Sequence, residues 1–211
     1  MGEWAGINHL YLEPRTLQRA ASVYRKNYPH SIQLTQFLPP PTYRALLLAA
    51  KDAHWTRHEQ YGQARFATTA PPAPLRQFLA GEPLRALLHA ITGKQAGTAR
   101  LFAFRHRDYT LLSDRVRQPA GTLFQFELTP RWQTAWGGFT SFVANGQEQL
   151  RITPVPNSLV LAEQQAGVQQ FVKYVNHHAR ITPRIMVQGV LHYKPRFRPD
   201  EPEFLTSAAV K

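Results

Sequence analysis

The second half of the chain limits its possible folds most tightly. From Ala99 onward the segments ARLFAFRHRDYTLL, GTLFQFEL, GGFTSFV, EQLRITPV, NSLVLAE, QQFVKYV and PRIMVQGVLHY follow one another. Each is short and rich in Val, Phe, Tyr and Leu, and Gly, Pro and Asn turns separate them. Short strands at this spacing bury their apolar faces as a β-sandwich or barrel-like double sheet. The first half has a different texture. PRTLQRAASVYRKNYPH has helical spacing, and IQLTQF reads as a short strand. In FLPPPTYRALLLAAKDAHW, Pro41 falls in a first helical turn, where a missing N–H costs nothing, and Leu46, Leu47, Ala50 and Trp55 supply a buried stripe. ATTAPPAPLRQFLAG begins as a proline-rich connection, and PLRQFLAGEPLRALLHAITG reads as one or two short helices ending at Gly93. The expectation is an α+β protein of one domain over 1–211. Residues 1–98 are expected to be mostly helical, 99–193 to form the β-core, and 194–211 to be a proline-rich tail.

Composition narrows the chemistry. The 211 residues include no cysteine, so disulfides, thiolate metal sites and cysteine nucleophiles are excluded, and any metal would need His, Asp or Glu. No apolar run approaches the roughly 20 residues that span a bilayer, and MGEWAGINHLYLEPR lacks the pattern of a secretory signal. A cytoplasmic location is expected. The formal charge of +12 favours anionic partners, although the basic residues are spread along the chain rather than gathered into a run. Phosphate-cradling glycine loops, GxSxG elbows and HExxH are absent from the sequence.

In their order, FLPPPTYRALL, ITG, RDYTLLSDR, FELTPRWQTAWGGF, PNSLVLAE, QQFVKYV and PRIMVQGVLHY resemble the prolyl 4-hydroxylase-like branch of the 2-oxoglutarate and iron(II)-dependent dioxygenases. The likeness runs from about Gln36 to Tyr193. It implies a double-stranded β-helix, or jelly roll, with N-terminal helices packed on one sheet. That agrees with the helix-then-strand texture.

The resemblance also implies where iron ligands would stand. Asp108 and Tyr109 match the segment that introduces the family's His-x-Asp, which puts Ser113 at the His position and Arg115 at the Asp position. Gln170 stands where the second ligating His precedes a V-x-x-V strand. All three positions are therefore altered. Serine and glutamine are weak neutral ligands, and a guanidinium is a permanent cation with no lone pair to donate. At about 4 Å from a doubly charged ion it would cost several kcal/mol at an effective dielectric near 20. Arg184 matches the basic residue that grips the distal carboxylate of 2-oxoglutarate, and Arg115 and Tyr109 are further candidates for an anion or cosubstrate pocket. The structural alternative is that Arg115 fills the vacated position through an ion pair with Asp114, Glu127 or Glu163. Tyr109 and Phe104 could line the pocket mouth or belong to the core.

A rival register places iron on the literal His106-Arg107-Asp108, with a later imidazole from His177, His178 or His192. It displaces Asp108 and Tyr109 from their matched positions. His177 and His178 also lie in a turn-like NHHAR segment expected to face solvent. Trp132, Trp136, Gly137 and Gly138 are expected to form a strand connection whose indoles cover the core.

The expected function is a binding or regulatory module that has lost iron chemistry, needs no cofactor, and meets a protein partner or acidic ligand. The alternative is an active iron(II) and 2-oxoglutarate-dependent hydroxylase acting on a peptidyl proline. A third reading is a basic nucleic-acid-binding protein on the same scaffold.

Overall fold

The computed structural model describes residues 6–110 and 120–192. Four α-helices belong to the first half: α1 (Pro14–Lys26), α2 (Pro40–Lys51), α3 (Ala73–Ala80) and α4 (Glu82–Thr92). Each has proline in its first turn. In α2 the expected stripe is buried through Leu46, Leu47 and Ala50, with Thr42 beside them. Helix α4 ends where Gly93 takes left-handed backbone, φ 72°.

The strands are β1 (Ser31–Leu34), β2 (Thr56–Gln60), β3 (Ala64–Thr69), β4 (Gln95–Phe104), β5 (Tyr109–Thr110), β6 (Gly121–Glu127), β7 (Thr140–Ala144), β8 (Gln147–Ile152), β9 (Ser158–Gln164), β10 (Gln169–Val172) and β11 (Arg184–His192). Among the described residues the large sheet runs β1-β9-β6-β11-β4-β3-β2, with β5 beside β3, and the small sheet runs β10-β7-β8. Every pairing is antiparallel. This is the jelly-roll arrangement, and the helices cover one face of the large sheet.

Strand alternation divides the interior. Phe124, Phe126, Leu101, Leu161, Ile185 and Val187 turn toward the helices and pack with Leu46, Leu87, Leu88 and Ile91. The opposite faces of the same strands look toward the small sheet. There Phe104, Met186, Val172, Val175 and Trp136 form one cluster, and Leu123, Phe142, Ile152, Val160 and Val168 another. Phe104 is thus core rather than pocket mouth.

Two expectations need correction. Besides the expected strand β1, the first half supplies β2 and β3 to the large sheet, and β4 begins at Gln95 rather than at 99. Strand β2, TRHEQ, is exposed at every residue and carries no apolar alternation to read. The segment 99–110 is not one strand: β4 stops at Phe104, a turn over 105–108 follows, and β5 resumes at Tyr109. The physical reason is Asp108, a buried charge that the turn carries inward.

The connection before β7 contains the expected glycine pair. Gly137 (φ 74°) and Gly138 (φ 66°) both take left-handed backbone. A Cβ on Gly137 would lie 2.2 Å from the Tyr174 carbonyl oxygen, so only glycine lets the two segments approach. Trp132 Nε1 donates to Gly137 O at 2.9 Å, and Trp136 is buried against it.

Candidate functional site

The space between the two sheets is where the jelly roll could hold a small ligand, and the chain bridges it with its own polar groups. Arg184 opens β11 with 0% exposure. Its Nε donates to Glu127 Oε2 at 3.0 Å, and its Nη2 stands 3.0 Å from the same oxygen. Its Nη1 donates to Gly138 O and, at 3.2 Å, to Thr140 Oγ1 on β7 of the small sheet. Thr140 Oγ1 in turn donates to Gln125 Oε1 on β6 at 3.1 Å. Gln170 on β10 accepts from Gln188 Nε2 on β11 at 3.2 Å. Arg184 thus spends Nε and Nη1 on the protein's own groups, while its buried Nη2 has no hydrogen-bond partner.

Glu127 is buried as deeply as its arginine (1% exposed) and also accepts from the Thr129 hydroxyl. Tyr43 on α2 caps this end by donating to Thr129 O at 2.7 Å and Leu128 O at 3.3 Å. Burial, reinforced by the Glu127 charge, pushes the Tyr43 hydroxyl well above its ordinary pKa and keeps it a neutral donor.

Asp108 belongs to a different arrangement. Its carboxylate is fully buried and is bridged by both Nη groups of Arg57 from β2, with Arg65 Nε 3.8 Å away. It also accepts the Arg105 N–H at 2.7 Å. The Asp108 carboxylate raises the Arg57 pKa further above its ordinary value. An aspartate so engaged would have to surrender these partners to ligate a metal.

Ser113, Asp114 and Arg115 lie outside the described residues. Tyr109 is half-buried on β5 with its ring 6.3 Å from that of Tyr174. His177 and His178 are exposed, as expected of their segment, on a single 3-10 turn (His177–Ala179). Glu127 and Glu163, two of the carboxylates expected as partners for Arg115, have other partners here. Glu127 holds Arg184, and Glu163 stands 3.9 Å from Lys94 and 3.8 Å from His30.

Among the described residues no three His, Asp or Glu side chains stand together as a metal would require. Among the described residues the donor set at Gln170 and Asp108 does not fit iron(II), which would need two imidazoles and one carboxylate on one face. Gln170 offers a neutral amide, and Asp108 is neutralised by guanidinium. Sequence reasoning missed Arg57 and Arg65, whose only signal is arginine on either side of an unrecognised hairpin, TRHEQYGQAR.

Solved structures share this architecture. A prolyl-4-hydroxylase from Pseudomonas putida superposes with a TM-score of 0.62 at 19% identity, over 83% of this chain and 99% of that one. An oxidoreductase of the 2OG-Fe(II) oxygenase family from Burkholderia pseudomallei gives 0.64 at 7% identity, over 84% and 91%. A Trichoplax adhaerens prolyl hydroxylase, solved with a hypoxia inducible factor peptide fragment, gives 0.60 at 11%, over 85% and 93%. In sequence, the chain is 35% identical over 74 residues to the prolyl 3-hydroxylase OGFOD1 of Mus musculus. That match covers 34% of this chain and 14% of the mouse protein's length. Residues 9–194 match the family described as "Oxoglutarate and iron-dependent oxygenase degradation C-term", and to that family the chain belongs.

Proposed function

We propose that this chain is an oxygenase-fold protein that has given up iron chemistry and serves as a binding or regulatory module. The observation that supports this reading is the Arg184–Glu127–Thr140 network, which engages Nε and Nη1 of the buried guanidinium and leaves Nη2 without a hydrogen bond. The resemblance assigns Arg184 to the cosubstrate carboxylate, yet the guanidinium is fully buried and answered by the protein's own carboxylate, hydroxyl and carbonyl. A dicarboxylate reaching Nη2, the guanidinium nitrogen without a hydrogen bond, would meet the like charge of the Glu127 carboxylate 3.0 Å from that nitrogen. Gln170, already bonded to Gln188, adds no basic ligand.

The second reading is an active iron(II) and 2-oxoglutarate-dependent hydroxylase, favoured by the family and by relatives named as prolyl hydroxylases. In that reading His106, Asp108 and a later histidine would hold the metal. The engagement of Asp108 by Arg57 weighs against it.

Anaerobic titration with iron(II) and 2-oxoglutarate, together with metal analysis of the purified protein, separates the two. The module reading expects sub-stoichiometric iron and no metal-to-ligand charge-transfer band. One iron per chain with such a band, or succinate formed in the presence of a proline-containing peptide, would establish the enzyme instead.

A further inference from the structure

The turn that buries Asp108 also builds a cationic face. Arg57 and Arg65, drawn to that carboxylate from the β2–β3 hairpin, keep 38% and 36% of their side chains exposed. The Arg105 N–H closes the turn onto Asp108, and Arg107 takes left-handed backbone, φ 71°. Arg107 N–H donates to Val175 O and Val175 N–H to Asp108 O, both at 2.9 Å. These bonds tie the turn to the segment that displays Lys173 and Tyr174, both exposed. The side chains of Arg105 and Arg107 are exposed as well, and among the described residues neither they nor Lys173 meet a carboxylate. Glu59, 3.5 Å from Arg65, is the exposed acid here. Arg57, Arg65, Arg105, Arg107 and Lys173 therefore stand against Asp108 and Glu59, a local excess of positive charge mounted on one buried carboxylate.

We propose that this face binds single-stranded nucleic acid, with the guanidinium groups on phosphates and the Tyr174 ring stacked against a base. Guanidinium forks match phosphate oxygens, and a ring beside a basic track is the usual means of holding an unpaired strand. Tyr174 is 44% exposed and is backed by Tyr109, so its free face is presented rather than buried. An acidic peptide would answer the charges but leave that ring without a role. The proposal makes no use of Arg184 or Gln170, so its failure would leave the iron-free reading intact.

The test is fluorescence anisotropy of the full chain with a labelled single-stranded RNA of ~20 nucleotides, titrated over salt. Binding should weaken as salt rises, with a log–log slope near −0.7 for each phosphate contacted. Reversing Arg105→Glu and Arg107→Glu together should weaken binding at least about tenfold and reduce the slope by about 1.4. Reversing Arg15→Glu and Arg19→Glu on the exposed face of α1 changes the net charge equally and should cost less than about threefold, a weak long-range effect. Tyr174→Ala should weaken binding roughly fivefold or more without altering the salt slope. Equal losses in the two reversed pairs would reduce the effect to the net charge of +12 and overturn the proposal. So would tighter binding of a polyglutamate of matched charge, which would point to an acidic protein partner.

Discussion

Arg184 has no solvent to hydrate it, so its charge must be answered inside the protein, and Glu127 answers it. Glu127→Gln leaves that guanidinium without its counter-charge and should cost about 3–5 kcal/mol in urea unfolding. The double variant Glu127→Leu with Arg184→Met removes both charges and should recover much of the loss. If the double variant were no more stable than the single one, the pair would not be the source of the penalty. The importance of Arg184 was legible from its place in PRIMVQGVLHY, but its partner was not, because 57 residues separate the two and only the β6–β11 register aligns them. Asp108 was legible in the same partial way. DY marked a meaningful position, while Arg57, 51 residues earlier, gave no sign that it would bridge the carboxylate.

Elements were readable where both faces of a strand are largely buried. β6, β9 and β11 have long apolar runs and emerged close to their expected bounds, whereas β2 and β3 form an edge hairpin that packing does not mark in sequence. Glycine was readable by its conformational freedom, yet what it approaches was not. Gly137→Ala should destabilise the chain by about 1–3 kcal/mol from the positive φ alone. The clash with Tyr174 O adds to that, and thermal unfolding of the variant checks the sum. Strand β8 offers a contrasting prediction at its surface. Arg151 and Ser141 bond the Glu148 carboxylate, and the Arg151 bond foremost holds it below its ordinary pKa. A depressed folded pKa gives stability that is present above the unfolded value and lost as pH falls through the folded one. Glu148→Gln should therefore lower the melting temperature slightly at neutral pH, and the difference should vanish in acid. A difference that persisted at low pH would have another origin.

For the molecule as a whole, the question is whether the helical first half and the β-rich second half can exist apart. Strand β1 pairs with β9 and β3 with β4, and α2 and α4 cover Leu101, Phe124, Phe126 and Val187 of the later strands. Cutting near residue 98 would unpair two strands of one sheet and strip its apolar face, which costs roughly 25 cal/mol for each Å² returned to water. One cooperative transition is the expected consequence. The tryptophans allow a direct check. With Trp4→Phe and Trp55→Phe, fluorescence reports only Trp132 and Trp136, whose rings lie 5.2 Å apart in the β-core, while far-UV circular dichroism weights the helices α1 to α4. The two signals should give the same denaturant midpoint and slope. Separate midpoints would mean that the sheet bonds between the halves do not couple them, and residues 1–98 and 99–193 would then be two folding units.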